Sequence, residues 1–162
     1  TADRWNLAVT YVIENNQYAM GTAVKRASSE TELHKRGISF GIPGEAVDGM
    51  DVEAVRKAAD KAATHARSGK GPYILEMKTY RYRGHSMSDP AKYRTREEVQ
   101  KMREERDAIE SLRSLLLTGK HTTEEALKAI DKDVKDIVNA SAEFAKTSPE
   151  PDLDELWTDI YA

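Results

Sequence analysis

The chain has 162 residues, which is enough for one domain with a core of its own. Its 25 basic and 28 acidic residues give a net charge of −3, which does not indicate a nucleic-acid-binding protein. The absence of cysteine excludes disulfides, cysteine zinc sites and a thiol nucleophile. No apolar run approaches the roughly 18 residues of a membrane span, so we expect no membrane partner.

The first half of the chain alternates strand and helix signals. Residues 7–13 form a short apolar run rich in β-branched side chains, typical of a strand buried on both faces of a parallel sheet. Residues 47–50 indicate a short strand or turn, and Asp51 then caps a helix. Glycine and proline in residues 68–72 end this helix, and residues 73–80 form the second strong strand. Strand, helix and strand in this order predict the α/β class with a parallel sheet.

The second half of the chain predicts a loop followed by helices. Residues 81–93 combine glycine, serine, proline and mixed charge, so we expect a loop with little apolar area to limit its motion. A capping box at residues 95–98 begins a helix that we expect to reach about Leu117. A second capping box at residues 122–125 begins another helix with apolar residues near heptad spacing. These two helices are predicted to form an antiparallel hairpin.

The asparagine pair Asn15-Asn16 follows the first predicted strand directly. In open parallel sheets, ligands bind beyond the carboxyl ends of the strands. Asparagine side-chain oxygens and backbone carbonyls are hard, neutral donors that suit magnesium. The alternative is that the pair only turns the chain after the strand, as asparagine often does.

A basic segment with a histidine follows the second strand, so we expect it at the same edge of the sheet. Arg81 and Arg83 can bind phosphate through charge-assisted hydrogen bonds, and His85 can exchange a proton near neutral pH. The alternative is an edge strand with snorkelling arginines and a polar loop. No functional pattern or metal-ligand spacing surrounds the remaining histidines, His34, His65 and His121.

Several segments together resemble the alpha subunits of the pyruvate dehydrogenase first component, a thiamine-diphosphate-dependent family. Residues 14–22 resemble the Asn-Asn end of the thiamine-diphosphate motif. Residues 47–51 and 81–90 resemble the alpha subunit itself, and residues 93–98 and 150–151 continue the match. The resemblance covers nearly the whole chain, and its combination of motifs is highly specific.

The resemblance implies a partial thiamine-diphosphate-binding fold of the α/β class, followed by a C-terminal helical hairpin. Residues 1–93 would be the C-terminal part of the diphosphate-binding domain, with residues 81–93 as its active-site loop. Residues 94–162 would be the helical hairpin and tail of the same domain. The Gly-Asp-Gly that opens the family motif does not precede Asn16 in this sequence. We therefore expect the chain to be the C-terminal part of the subunit, and to be inactive alone.

The resemblance also implies roles for four residues. Asn16 would bind magnesium through its side chain, and Tyr18 would bind it through its backbone carbonyl. His85 would lie over the diphosphate and the reacting centre, as a catalytic and cofactor-binding residue. Arg81 would anchor the loop near the phosphates.

The loop sequence favours pyruvate as the substrate within this family. Related branched-chain 2-oxoacid enzymes carry a second histidine where this chain has Gly84, and acetoin enzymes lack Ser-Met-Ser after the histidine. Ser86 matches the first regulatory serine of mitochondrial members, but Lys92 stands where those members have a second serine. This difference favours a bacterial cytoplasmic protein over a eukaryotic one of the mitochondrial matrix.

The implied activity is oxidative decarboxylation of pyruvate with acetyl transfer to a lipoyl group, using thiamine diphosphate and magnesium. The implied partners are the beta subunit of the same component and the lipoyl domain of the acetyltransferase component. Two alternatives stay open: a scaffold for subunit association, and the alpha subunit of a branched-chain 2-oxoacid or acetoin dehydrogenase.

Overall fold

The structure is a computed structural model that describes residues 1–160. The chain divides into two compact units, which are residues 1–115 and the residues from Leu116 onward. The elements in chain order are β1 (Thr10–Asn15), β2 (Tyr18–Ala19), β3 (Thr22–Ala23), α1 (Val24–Ala27), a 3₁₀ helix (Leu33–Phe40), β4 (Gly44–Asp48), α2 (Val52–Arg67), β5 (Tyr73–Lys78), α3 (Arg96–Arg106), α4 (Ala108–Thr118), α5 (Glu124–Thr147) and a 3₁₀ helix (Leu153–Trp157).

A parallel sheet of three strands, in the order β1-β5-β4, forms the centre of the first unit. Thr10 lies opposite Tyr73 in the β1·β5 pair, and Gly44 lies opposite Ile74 in the β4·β5 pair. Helix α2 connects β4 to its parallel neighbour β5. This arrangement confirms the predicted α/β class and its parallel sheet. Strands β2 and β3 form a separate short antiparallel pair.

The core lies where α2 covers the sheet. Strand β5 is buried from Tyr73 to Met77 because it is the central strand and α2 packs on it. Helix α2 begins as predicted at Asp51, whose carboxylate accepts hydrogen bonds from the N–H groups of Glu53 and Ala54 at 2.9 and 3.0 Å. The cluster of buried apolar side chains comprises Val47, Ala58, Ala62, Tyr73, Leu75 and Met77.

Strand β1 corrects one prediction in two respects. It spans Thr10–Asn15 rather than residues 7–13, and it is not buried on both faces. The side chains of Tyr11 and Val12 are 43% and 56% exposed. The reason is that β1 is an edge strand among the described residues, with β5 on one side only. The apolar pattern predicted the strand correctly but not its neighbours.

The helix predicted from residue 95 to residue 117 is two helices, α3 and α4. Thr95 caps α3 as predicted, with its hydroxyl 3.1 Å from the Glu98 N–H. The helix is interrupted at Asp107, whose backbone is extended and whose carboxylate accepts bonds from the N–H groups of Ile109 and Glu110. Asp107 therefore caps α4. Its spacing to Glu110 is a capping signature that the continuous apolar stripe concealed.

The second unit is dominated by α5, whose cap is Thr123, one residue after Thr122, which opens the predicted capping box. The Thr123 hydroxyl accepts a hydrogen bond from the Ala126 N–H at 3.3 Å. No α5 side chain is classed as buried, although the helix carries a long apolar stripe. A C-terminal helical segment is thus confirmed, whereas the antiparallel hairpin and the domain boundary at residue 93 stay predictions. Within residues 1–160, no helix is long and apolar enough to cross a membrane.

Candidate functional site

One small pocket contains all four residues that the sequence predicted for the site. It lies beyond the carboxyl ends of β1 and β5, where the family's ligand site was expected. Its lining comprises Asn16, Tyr18, Met20, Arg81, His85, Tyr93 and Arg94. The lining includes two arginines, and none of its described residues is acidic. The pocket therefore favours an anionic ligand.

Two asparagine side chains build the turn that follows β1. The Gln17 N–H donates to Asn15 Oδ1 and the Tyr18 N–H donates to Asn16 Oδ1, each at 3.1 Å. Gln17 has a φ of 71°, in the left-handed region. That conformation costs a non-glycine residue about 1 kcal/mol, so the asparagine bonds hold an unfavourable backbone in place. The asparagines thus have the turn-forming role that was the alternative to ligand binding, and this role does not exclude ligand binding.

The oxygen atoms of this turn are of the type that binds magnesium. Asn16 Oδ1 accepts one hydrogen bond and keeps a second lone pair, and the Tyr18 carbonyl is likewise a neutral oxygen. Magnesium requires about six oxygen ligands, so these two would share the ion with phosphate oxygens, water and other groups. Among the described residues, no three histidine or acidic side chains form a metal cluster of their own.

The carboxylate of Asp89 organises the loop of residues 81–93. It accepts hydrogen bonds from the His85 N–H at 2.7 Å, the Ala91 N–H at 2.8 Å and the Tyr93 hydroxyl at 3.0 Å. The bond from His85, followed by that from Ala91, holds the pKa of Asp89 below its usual value. The loop therefore has polar anchors that its composition did not predict.

His85 lines the pocket and is fixed through its backbone. Its N–H donates to Asp89, and its carbonyl oxygen accepts from Arg81 Nη2 at 3.2 Å. The preceding residue is constrained as well, because a Cβ at Gly84 would lie 2.9 Å from Asp89 Oδ2. Glycine at this position therefore permits the close approach that sets the direction of His85.

Arg94 links the loop to the asparagine turn, a role that no motif in the sequence indicates. The residue is 9% exposed, and its guanidinium donates to the carbonyl oxygens of Arg81 and Arg83. The same group lies 5.7, 5.2 and 5.2 Å from the ring centroids of Tyr18, Tyr80 and Tyr93. In the sequence, Arg94 is one of many basic residues near a helix start, so only the contacts reveal it.

A second missed feature is the buried carboxylate of Glu76, which lies behind the asparagine turn. It is 0% exposed and accepts from Asn15 Nδ2 at 2.7 Å, the His34 N–H at 3.0 Å and His34 Nδ1 at 2.9 Å. Burial works to raise the pKa of Glu76, but the bonds from His34 and Asn15 outweigh it and lower the pKa. His34, around which the sequence showed no functional pattern, thus has a structural contact with Glu76. The available signal was an acidic residue among the otherwise apolar residues 73–77 of β5.

Comparisons with known proteins show the family to which the chain is similar. The family described as "Dehydrogenase E1 component" matches residues 1–154. The pyruvate dehydrogenase E1 component subunit alpha of Rhizobium meliloti (strain 1021) is 64% identical over 156 residues, which cover 96% of this chain and 45% of the relative. The subunit of the same name from Rickettsia typhi (strain ATCC VR-144 / Wilmington) is 51% identical over 160 residues, covering 99% of this chain and 49% of the relative.

A mitochondrial relative shows similar agreement. The testis-specific pyruvate dehydrogenase E1 component subunit alpha of Rattus norvegicus is 50% identical over 158 residues, covering 97% of this chain and 40% of the relative. The chain thus spans about half the length of the bacterial relatives described above. The resemblance predicted from the sequence motifs is confirmed, and the chain belongs to the dehydrogenase E1 component family.

Proposed function

We propose that this chain forms part of the thiamine-diphosphate site of a pyruvate dehydrogenase first component. The complete subunit would take part in oxidative decarboxylation of pyruvate with acetyl transfer to a lipoyl group. The pocket lined by Asn16, Tyr18, Arg81 and His85 is the observation that carries this proposal. The 64% identity to a relative named as a pyruvate dehydrogenase E1 alpha subunit supports it.

The pocket supplies charges of the right sign for a diphosphate bound with magnesium. Asn16 would bind the ion through its side-chain oxygen, and Tyr18 would bind it through its backbone carbonyl. Arg81 lines the same pocket, and its guanidinium donates to the His85 carbonyl, so it would bring positive charge to the phosphates while anchoring the loop. Bound thiamine diphosphate supplies the electron-accepting ring that decarboxylation needs and that protein side chains lack.

His85 would serve both binding and proton transfer. A neighbouring phosphate favours the protonated imidazole, which can then donate a hydrogen bond to the phosphate. In the overall reaction the bond between the pyruvate carboxylate and its neighbouring carbon breaks, and carbon dioxide leaves. The lipoyl disulfide is reduced while the acyl carbon is oxidised; one sulfur takes the acetyl group and the other takes a proton, which His85 would donate. Such acid catalysis contributes roughly 10²–10⁴-fold.

Pyruvate is the proposed substrate, rather than a branched-chain 2-oxoacid or acetoin. The close approach of Gly84 to the Asp89 carboxylate supports this choice. A histidine at that position, as in the branched-chain enzymes, would place a side chain against Asp89. The close contact between residue 84 and Asp89 therefore fits a glycine and would have to open for a histidine.

The proposed partners are the beta subunit of the same component and the lipoyl domain of the acetyltransferase component. Helix α5 supports a role in subunit association, because several of its large apolar side chains are more than half exposed. These side chains are Ile130, Val134, Ile137, Val138 and Phe144. Association and catalysis are compatible in one subunit, so the second candidate function adds to the first.

Replacement of the proposed catalytic histidine tests the function directly. In the complete subunit with its partner, we expect His85→Ala to lose at least about tenfold in acetyl transfer to lipoyl groups, because the acid is removed. Cofactor affinity should fall less, since other phosphate contacts remain. The measurement is overall complex flux beside decarboxylation with an artificial electron acceptor. The matched control, His121→Ala, changes an exposed histidine outside the pocket. Wild-type rates in both assays for His85→Ala would contradict the proposal.

A further inference from the structure

We propose that Glu76, Asn15 and His34 form a buried bracket that positions the turn of residues 15–18. Glu76 and His34 are then positioning residues for the proposed magnesium ligands Asn16 and Tyr18. The effect on magnesium rests on the proposed function, whereas the bracket itself rests on contacts within the chain. Nothing in the family resemblance pointed to these three residues as a unit.

The sheet register brings the bracket together. In the parallel β1·β5 pair, Glu76 lies opposite Ile13. Side chains two residues apart on a strand point to the same face, so Asn15 is a diagonal neighbour of Glu76. Both side chains are buried, at 4% and 0% exposure. The strand register therefore places Asn15, the last residue of β1, beside Glu76 on the central strand.

The Asn15 amide has only one orientation that satisfies both of its neighbours. Its Nδ2 donates to Glu76 Oε1 at 2.7 Å, and its Oδ1 accepts from the Gln17 N–H at 3.1 Å. A carboxylate can only accept and a backbone N–H can only donate, so a flipped amide would lose both bonds. Glu76 therefore sets the direction of the bond that holds Gln17 in its left-handed conformation.

The second oxygen of Glu76 connects the turn to another segment. Oε2 accepts from both the N–H and the Nδ1 of His34, at the start of the 3₁₀ helix Leu33–Phe40. One carboxylate thus joins the end of β1, the centre of β5 and this helix. A buried charge stabilises a fold poorly compared with an apolar side chain, because desolvation costs several kcal/mol. Its presence here is better explained by the geometry that it imposes.

The bracket can be tested by exchanging the carboxylate and the amide between positions 76 and 15. Glu76→Gln places an amide NH₂ or a single carbonyl where two acceptors are needed, so either Asn15 or His34 loses its partner. Asn15→Asp places two buried carboxylates against each other. The double variant Glu76→Gln/Asn15→Asp restores one donor facing one acceptor, because the new carboxylate at position 15 accepts from both the new amide and the Gln17 N–H.

Hydrogen exchange of the Gln17 and Tyr18 amides measures the bracket without any cofactor. In the protein in its native assembly, each single variant should exchange these amides at least about tenfold faster, because the local opening becomes easier. The double variant should return the rates to within about threefold of wild type, since the bonds are restored. Amides in the middle of α2 report any loss of global stability, so the change at Gln17 and Tyr18 is measured relative to them. Glu110→Gln, on the exposed face of α4, is the matched control and should change nothing.

Affinity for magnesium thiamine diphosphate provides the second measurement, and it should weaken in the single variants and recover in the double variant. Unchanged exchange at Gln17 and Tyr18 in Glu76→Gln would overturn the bracket, as would a double variant that does not recover. Glu76→Gln alone could fail to fold. In that case a folded double variant supports the bracket, and an unfolded double variant overturns it. If no variant, wild type included, binds the cofactor while exchange follows the expected pattern, the proposed function fails and the bracket stands.

Discussion

Two carboxylates hold the two segments that line the pocket: Glu76 holds the asparagine turn, and Asp89 holds the loop of residues 81–93. Their surroundings differ. Glu76 lies in the buried central strand, whereas Asp89 lies in a loop at the surface. Each accepts three hydrogen bonds, and each has a pKa below its ordinary value. If Glu76 is lost, the buried amide of Asn15 has no water to replace its acceptor, and His34, with a side chain 16% exposed, has little; the partners of Asp89 lie nearer the surface. The same bonding pattern should therefore support the fold in one case and only the local loop in the other.

Truncation of the two carboxylates should show this difference most strongly. We expect Glu76→Ala to lower the free energy of unfolding by about 3 kcal/mol, because the buried Asn15 amide and the part-buried His34 are left without an acceptor. Asp89→Ala should lower the free energy of unfolding much less, since water can replace most of its bonds. Denaturant titrations measure both, with Asp133→Ala on the exposed surface of α5 as the control. Equal losses of stability in the two variants would contradict the comparison.

A negative charge introduced into the loop should affect activity rather than stability. Ser86 lies next to His85, so Ser86→Glu would bring a carboxylate towards the proposed diphosphate. We expect about tenfold lower overall flux from like-charge repulsion, with no change in the denaturation midpoint. Ser86→Gln has nearly the same size without the charge and should retain most of the activity. Similar losses in both variants would show that size, not charge, matters at this position.

Arg94 should hold the loop against the asparagine turn. Removal of its guanidinium in Arg94→Ala leaves the carbonyls of Arg81 and Arg83 and the surrounding tyrosine rings without their shared partner. We expect proteolysis within residues 81–93 to become at least about fivefold faster, because the loop opens more easily. Arg96→Ala, at the exposed start of α3, provides the control. An unchanged cleavage rate in Arg94→Ala would show that Arg94 does not hold the loop in place and would leave that role to Asp89.

The pH dependence of stability provides a smaller but distinct effect. The pKa of Glu76 is lower in the folded protein than in the unfolded chain, although its burial opposes this. Its contribution to stability is therefore complete above the unfolded pKa of about 4.3 and is lost as the pH falls through the folded value. The charged or titratable groups that act on it are His34 and Lys78.

Denaturation midpoints from pH 7 to pH 3 measure this effect. Glu76→Gln should lose less stability than wild type across this range, because its side chain does not titrate. Parallel loss of stability in both proteins would show that other acidic groups account for the acid sensitivity.

The parts of the fold that depend on local signals were predictable from the sequence. Asp51 and Thr95 cap helices as their patterns indicate, α5 begins one residue after the start of its predicted capping box, and β5 is a strand as predicted. The break at Asp107 was missed because a continuous apolar stripe outweighed a single capping aspartate. The exposure of β1 was missed because periodicity describes a strand and not its neighbours.

The site shows the same division. Asn16, Tyr18, Arg81 and His85 were named from motifs, and the fold brings them to one pocket. Glu76, His34 and Arg94 were not named, because their importance comes from contacts between residues far apart in the chain. His34 and Glu76 are 42 residues apart, and no local pattern joins them. Their positions follow from strand register and burial, which the sequence alone does not specify.

Calorimetric titration with magnesium thiamine diphosphate tests the central claim, that this pocket holds the diphosphate and its ion. The comparison is between wild type and Asn16→Ala in the complete subunit with its partner. Asn139→Ala on the exposed surface of α5 is the matched control. The account predicts that wild type and the control bind alike and that Asn16→Ala binds at least about tenfold more weakly, because one of about six oxygen ligands is lost. Equal affinity in all three proteins would contradict the account.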